Sequence, residues 1–87
     1  MLHELKIEQQ FADAVLEGRK TFEVRKNDRG YNAGDTVRFT VIEDGNRVFH
    51  LLNGKVYRIG YVLSGWGIEE GLVVFSIAPV RERREHP

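Results

Sequence analysis

Cysteine is absent from this sequence, so neither disulfides nor thiolate metal sites can reinforce the fold, and a reducing cytoplasm is its simplest home. Net charge is absent as well, since 13 Lys and Arg balance 13 Asp and Glu. A neutral chain has no bulk positive field with which to gather nucleic acid, so any such binding has to come from a local patch. No apolar stretch approaches the length of a membrane span, and the opening MLHELKIEQQ lacks the basic start and apolar run of a secretory signal. The expectation is a soluble protein with no membrane partner.

Several chemical signatures are also missing. There is no G-x-x-x-x-G-K-[ST], no G-x-G-x-x-G and no H-E-x-x-H, so phosphate-cradling loops and zinc-protease chemistry have no support. His3, His50 and His86 are scattered without metal-ligand spacing. No Ser, His and acid grouping rises above chance. Neither a cofactor nor a metal is expected.

At 87 residues the chain can form a small domain whose core is sufficient but not generous. We read a single domain over residues 1–80, followed by a frayed tail from Arg81 to Pro87 that has no apolar anchor. Leu2 to Ile7 alternates as a strand with His3, Leu5 and Ile7 on one face and Glu4 and Lys6 on the other. In that company His3 is expected to be a hydrogen-bonded core or rim residue rather than a catalyst. Phe11, Ala12, Val15 and Leu16 recur at helical spacing, and Gly18 stands where helices end in a left-handed residue.

Further on, Thr36 to Ile42 alternates around Val37, Phe39 and Val41. Glu43-Asp44-Gly45-Asn46 is a hairpin signal, after which Arg47 to Leu52 is expected to pair back as the next strand. Asn53-Gly54 is a second such signal, leading into Lys55 to Leu63 with a bulge near Gly60. Trp66, the only tryptophan, lies in a glycine-punctuated loop and is expected to plug the core, the alternative being a stacking surface for a base or sugar. Leu72 to Val80 is a nearly continuous apolar run that fits a strand covered on both faces or closing a barrel. One strand, one helix and then five strands make an α+β fold, a small mixed β-barrel with its N-terminal helix closing one end.

The densest chemistry lies in Gly18 to Asp35, GRKTFEVRKNDRGYNAGD. Thr21-Phe22-Glu23-Val24-Arg25 has strand period, so Phe22 and Val24 are expected inside and Thr21, Glu23 and Arg25 outside. Lys26-Asn27-Asp28-Arg29-Gly30 follows as a polar turn. A polar strand face running into a polar loop makes a ligand-binding edge; the plainer alternative is an exposed cross-strand ion pair between Glu23 and Arg25.

The runs H-E-L-K at His3 to Lys6, F-A-D-A-V-L-E-G-R-K-T-F-E-V-R-K-N-D-R at Phe11 to Arg29, G-D at Gly34-Asp35 and E-E-G-L-V-V-F-S-I at Glu69 to Ile77 resemble the DUF3850 proteins, which group with ASCH domains in the PUA-like superfamily. That resemblance implies a PUA-like β-barrel flanked by a helix, with a polar cleft beside the strand at residues 20–26. It also implies a module that binds RNA or a nucleotide-like small molecule, with no DNA specificity. Some ASCH proteins hydrolyse acylated cytidine nucleosides with a lysine that Lys20 matches; the threonine expected three residues later is Glu23 here.

Three functional readings follow. The first is a binding module using Lys6, Lys20, Thr21, Glu23, Arg25, Asn27, Asp28 and Arg29, with the cations on phosphate or carbonyl oxygen and Glu23 and Asn27 on a base edge. An amidohydrolase acting on a modified nucleoside, with Lys20 lowered in pKa and Glu23 acting in proton transfer, is the second. A non-catalytic interaction module is the third.

Overall fold

The computed structural model describes residues 1–80; the tail expected to fray, from Arg81 onward, lies outside the described residues. β1 (Leu2–Glu8) runs directly into α1 (Gln9–Leu16), and β2 (Phe22–Lys26), β3 (Thr36–Glu43), the short β4 (Asn46–Arg47), β5 (Val56–Leu63) and β6 (Leu72–Pro79) follow. All six strands belong to one sheet of order β1-β3-β5-β6-β2, with β4 attached to β3. β1 and β3 pair in parallel, and every other pairing is antiparallel. No helix among the described residues is long and apolar enough to cross a membrane.

Period-2 alternation builds the core. His3, Leu5 and Ile7 of β1 share the buried face with Val37, Phe39 and Val41 of β3, Tyr57 and Ile59 of β5, and Val73, Phe75 and Ile77 of β6. Ala12 and Val15 close it from α1, while Tyr31 and Leu52 enter from loops. The α+β class and the flanking helix are as expected. The barrel is not: the sheet curls only into a half-barrel, because β1 and β2 end the strand order without pairing to each other.

The expected kink in β5 is present as a shift in its register with β6 between Ile59 and Val62. Gly60 sits inside it because a Cβ there would lie 2.9 Å from Ser76 Oγ, and that hydroxyl accepts the Tyr61 N–H at 2.9 Å. A side chain at residue 60 would displace the group that satisfies the bulge.

Two expectations fail. Only Asn46 and Arg47 pair back on β3, instead of a strand reaching Leu52. Leu52 is fully buried, and Asn53 takes over the ladder's role by accepting the Val41 N–H through Oδ1 at 2.7 Å and donating through Nδ2 to the Val48 carbonyl at 2.9 Å. A side-chain amide that offers both a donor and an acceptor can stand in for a strand partner. Trp66, expected in the core, is 92% exposed. It has a positive φ between Gly65 and Gly67, which also have positive φ, so the loop turns its tip outward and the core is filled by Phe39, Phe75, Tyr31 and Tyr57 instead.

β1 is held at its start by Asp35. His3 is buried, and its Nε2 lies 2.9 Å from Asp35 Oδ2; the carboxylate also accepts the Asn32 N–H at 3.1 Å and the N-terminal ammonium at 3.3 Å. The His3 hydrogen bond is the main reason the Asp35 carboxyl sits below its ordinary range. The Asn32 N–H and the N-terminal charge add to this, against some desolvation. A depressed carboxyl stabilises the fold while ionised, so its contribution is complete above about pH 4 and is lost as pH falls through the folded-state value. Urea midpoints measured on acidification should therefore fall more steeply below about pH 4 for the wild type than for Asp35→Asn, which should start lower and change less. In the core, Phe75→Ala should cost about 3–5 kcal/mol by chemical denaturation.

Candidate functional site

The site begins at the helix terminus. Gly18, with φ 79°, lets both the Arg19 and Lys20 N–H groups return to the Ala14 carbonyl, at 2.9 and 3.0 Å. Adjacent basic residues then part company. Arg19 stays outside and pairs with Glu17 at 3.0 and 3.2 Å, holding the Glu17 carboxyl below its ordinary value. Lys20 turns inward.

Strand β2 then presents its side chains opposite to expectation. Glu23 is 4% exposed, whereas Phe22 and Val24 are 45% and 48% exposed. Register is the cause: Glu23 lies directly across from Phe75 and Arg25 from Val73, both buried on the concave face of β6, while Phe22 and Val24 face Ser76 and Val74. Directly opposed residues in an antiparallel pair share a face, so the polar set of β2 points inward.

The buried carboxylate is not left alone. Lys20 Nζ donates to Glu23 Oε2 at 2.6 Å and to the Phe22 carbonyl at 2.7 Å. Arg25 Nη2 donates to Glu23 Oε1 at 3.2 Å and, across the open seam, to the Lys6 carbonyl at 2.7 Å. Arg29 Nη1 makes a similar crossing to the Glu4 carbonyl at 2.9 Å. Two guanidinium groups thus serve backbone acceptors on the edge of β1 that no strand among the described residues pairs. Glu4 is fixed from its other side by an ion pair with Arg38, its neighbour in the β1–β3 register.

Above this network lies a cleft of about 450 Å³ between the end of β1, the start of α1 and β2, lined by Lys6, Ile7, Glu8, Phe11, Lys20 and Phe22 to Arg25. Phe11, which shares helical spacing with the buried Ala12 and Val15, is itself half exposed at the cleft rim. The Lys20 ammonium lies 5.8 Å from the centre of the Phe11 ring and 5.1 Å from that of Phe22, within cation–π range of both. Sequence reasoning missed Phe22 and Val24 as lining residues because an apolar residue in an alternating pattern is read as core, and Phe11 because it shares the apolar stripe of the helix.

A second cleft of about 470 Å³ adjoins the first at Val24 and Arg25, and Lys26, Asp28, Arg29 and Tyr31 line it. Tyr31 is packed ring to ring with His3 at 4.7 Å and Phe75 at 4.8 Å. Burial pushes its hydroxyl up, and the Arg29 and Arg25 charges act against that. Of the expected site residues, Lys6, Lys20, Glu23 and Arg25 meet at the first cleft, and Arg25, Asp28 and Arg29 at the second. Asn27 and Asp28 line a more open groove with Glu69 and Glu70. Thr21 lines none of these clefts; its carbonyl accepts the Ile77 N–H at 2.9 Å, extending the β2–β6 ladder.

A family model described as a domain of unknown function (DUF3850) matches residues 2–77. An uncharacterized 12.9 kDa protein in the GpA 3′ region of Escherichia phage P2 is 50% identical over 36 residues, 41% of this chain and 33% of that protein. The match therefore spans a third of the phage protein's length.

Removing the carboxylate charge leaves two cations facing one another in a largely covered site. Glu23→Gln should therefore lower stability by about 1–3 kcal/mol, whereas Phe22→Ala should stay within about 1 kcal/mol. Paired urea titrations check this, and equal losses would mean that the β2 faces are assigned wrongly.

Proposed function

The chain belongs to the DUF3850 family, and on that premise we propose that it is an ASCH-type, PUA-like half-barrel that binds a planar, nucleobase-like ring in the first cleft. The observation that carries this reading is the combination of two half-exposed phenyl faces, Phe11 and Phe22, around one ammonium that also touches a buried carboxylate. An apolar cleft with a few converging polar groups is the usual form of a small-ligand site. A ring stacked on a phenyl face gains about 1–3 kcal/mol whatever its sequence identity, and the polar groups then read its edge.

The division of labour follows from hydrogen-bond capacity. Lys20 spends two N–H bonds on the Phe22 carbonyl and Glu23, which leaves a third for a ring carbonyl or ring nitrogen. Each Glu23 oxygen accepts from one cation and retains a lone pair for an exocyclic amino group. Arg25 is tied to the Lys6 carbonyl, so its contribution is a fixed charge at the cleft wall. This is a donor and acceptor set suited to recognition in a reducing cytoplasm. Hydrolysis needs more: at the position where the hydrolytic relatives carry a threonine, this chain has Glu23, and the hydroxyl of Thr21 does not line the cleft.

The test is a titration of ¹⁵N-labelled protein with cytidine, adenosine and uridine, alongside an assay with an acylated cytidine. Binding without turnover is expected, with perturbations confined to Phe11, Lys20 and β2, and Phe11→Ala and Lys20→Met should each weaken binding about tenfold. Release of the acyl group would replace this reading with the hydrolytic one. Silence toward every nucleoside and toward the acylated substrate would leave the cleft to a protein partner.

A further inference from the structure

We infer that the second cleft is a subsite for a single phosphate, so that the ligand of this protein is a mononucleotide-sized phosphorylated molecule rather than a bare nucleoside or a long strand. The inference rests on the ring-binding reading of the first cleft and adds the other half of the ligand. Three cations, Arg25, Lys26 and Arg29, line the second cleft against one carboxylate, Asp28. Asp28 is on the surface, 3.9 Å from Arg29 Nε, and Arg25 shares Glu23 with Lys20, so the four cations Lys20, Arg25, Lys26 and Arg29 meet two carboxylates and the cleft keeps a net positive charge.

The cleft is also built rather than merely charged. Arg25 and Arg29 are held in place by the Lys6 and Glu4 carbonyls, and a guanidinium already ordered loses little freedom when it meets an anion. Tyr31, 6% exposed, forms a wall whose orientation is set by its stacking on His3 and Phe75. Val24 and Arg25 belong to both clefts, so a ring on one side of them and a phosphate on the other can be parts of one small molecule.

The limit to one phosphate comes from what lies beyond. The groove that continues past Leu72 is lined by Asp28, Glu69 and Glu70, with Lys26 as its one cation among the described residues. Three carboxylates facing one ammonium repel a further phosphate, because like charges in a shared groove raise the cost of bringing another. A polynucleotide backbone would meet this acidic end at once.

Cytidine, adenosine, their 5′-monophosphates, inorganic phosphate and a short single-stranded RNA are the probes, titrated against wild type, Lys26→Glu and Arg29→Gln with salt varied. The monophosphates should bind at least about tenfold more tightly than their nucleosides, the return of a single charge-assisted contact. That advantage should shrink with salt and vanish in Lys26→Glu, whose substitution lies outside the seam, while nucleoside affinity stays unchanged. Arg29→Gln should act the same way if its fold is intact by circular dichroism.

Failures of the two readings separate. Nucleosides binding as well as monophosphates would overturn the phosphate subsite and leave the ring site standing. Inorganic phosphate shifting the Lys26, Arg29 and Tyr31 resonances without any nucleoside binding would support the subsite and sink the ring site. RNA binding far more tightly than any monophosphate would overturn the limit to one phosphate, and no response to any probe would overturn the subsite outright.

Discussion

A six-stranded half-barrel brings two unpaired strand edges near one another, and the manner in which β1 and β2 are held without pairing governs the rest of this structure. Open edges invite association with other strands. Here Arg25 and Arg29 reach across and donate to the Lys6 and Glu4 carbonyls, so side chains replace backbone partners at the seam. A side-chain closure holds the two strands farther apart than a hydrogen-bonded ladder would, and the space left over is where both clefts lie.

The seam also explains a polar residue in the interior. Taking a carboxylate out of water costs several kcal/mol unless it is paired and hydrogen-bonded. Glu23 meets that condition with one cation on each oxygen. Arg25 joins the two tasks, since the same Nη2 serves Glu23 and the Lys6 carbonyl. Among the described residues no buried side-chain polar atom is left without a partner, so the network is complete as it stands.

Much of the frame was legible because the periodicity was unambiguous. His3, Leu5 and Ile7, and likewise Val37, Phe39 and Val41, share one face in the sequence pattern and are buried in the structure, as strands with one covered face require. Gly60 was readable as a bulge because a glycine breaks the alternation there. Arg47 to Leu52 misled because a hairpin signal specifies a turn and not the length of the strand after it; Leu52 was drawn into the core and Asn53 replaced the missing ladder. Trp66 misled for a related reason. Size makes tryptophan a frequent core residue, but three consecutive positive φ angles in its loop are a backbone property that overrides that tendency.

The candidate site divides along the same line. From the order of residues alone came the two-faced character of β2, the clustering of Lys20, Glu23 and Arg25, and the helix stop at Gly18 that brings Lys20 to them. Which face of β2 points inward was settled by tertiary structure, because alternation identifies two faces without saying which one meets the core. Pairing with β6 set Glu23 across from Phe75 and Arg25 across from Val73, and those partners are buried for reasons contained in β6, some fifty residues further along the chain. Long-range register, which no local pattern encodes, turned the polar face of β2 inward, buried Glu23, and moved Phe22 and Val24 from the expected core to the rim of the cleft.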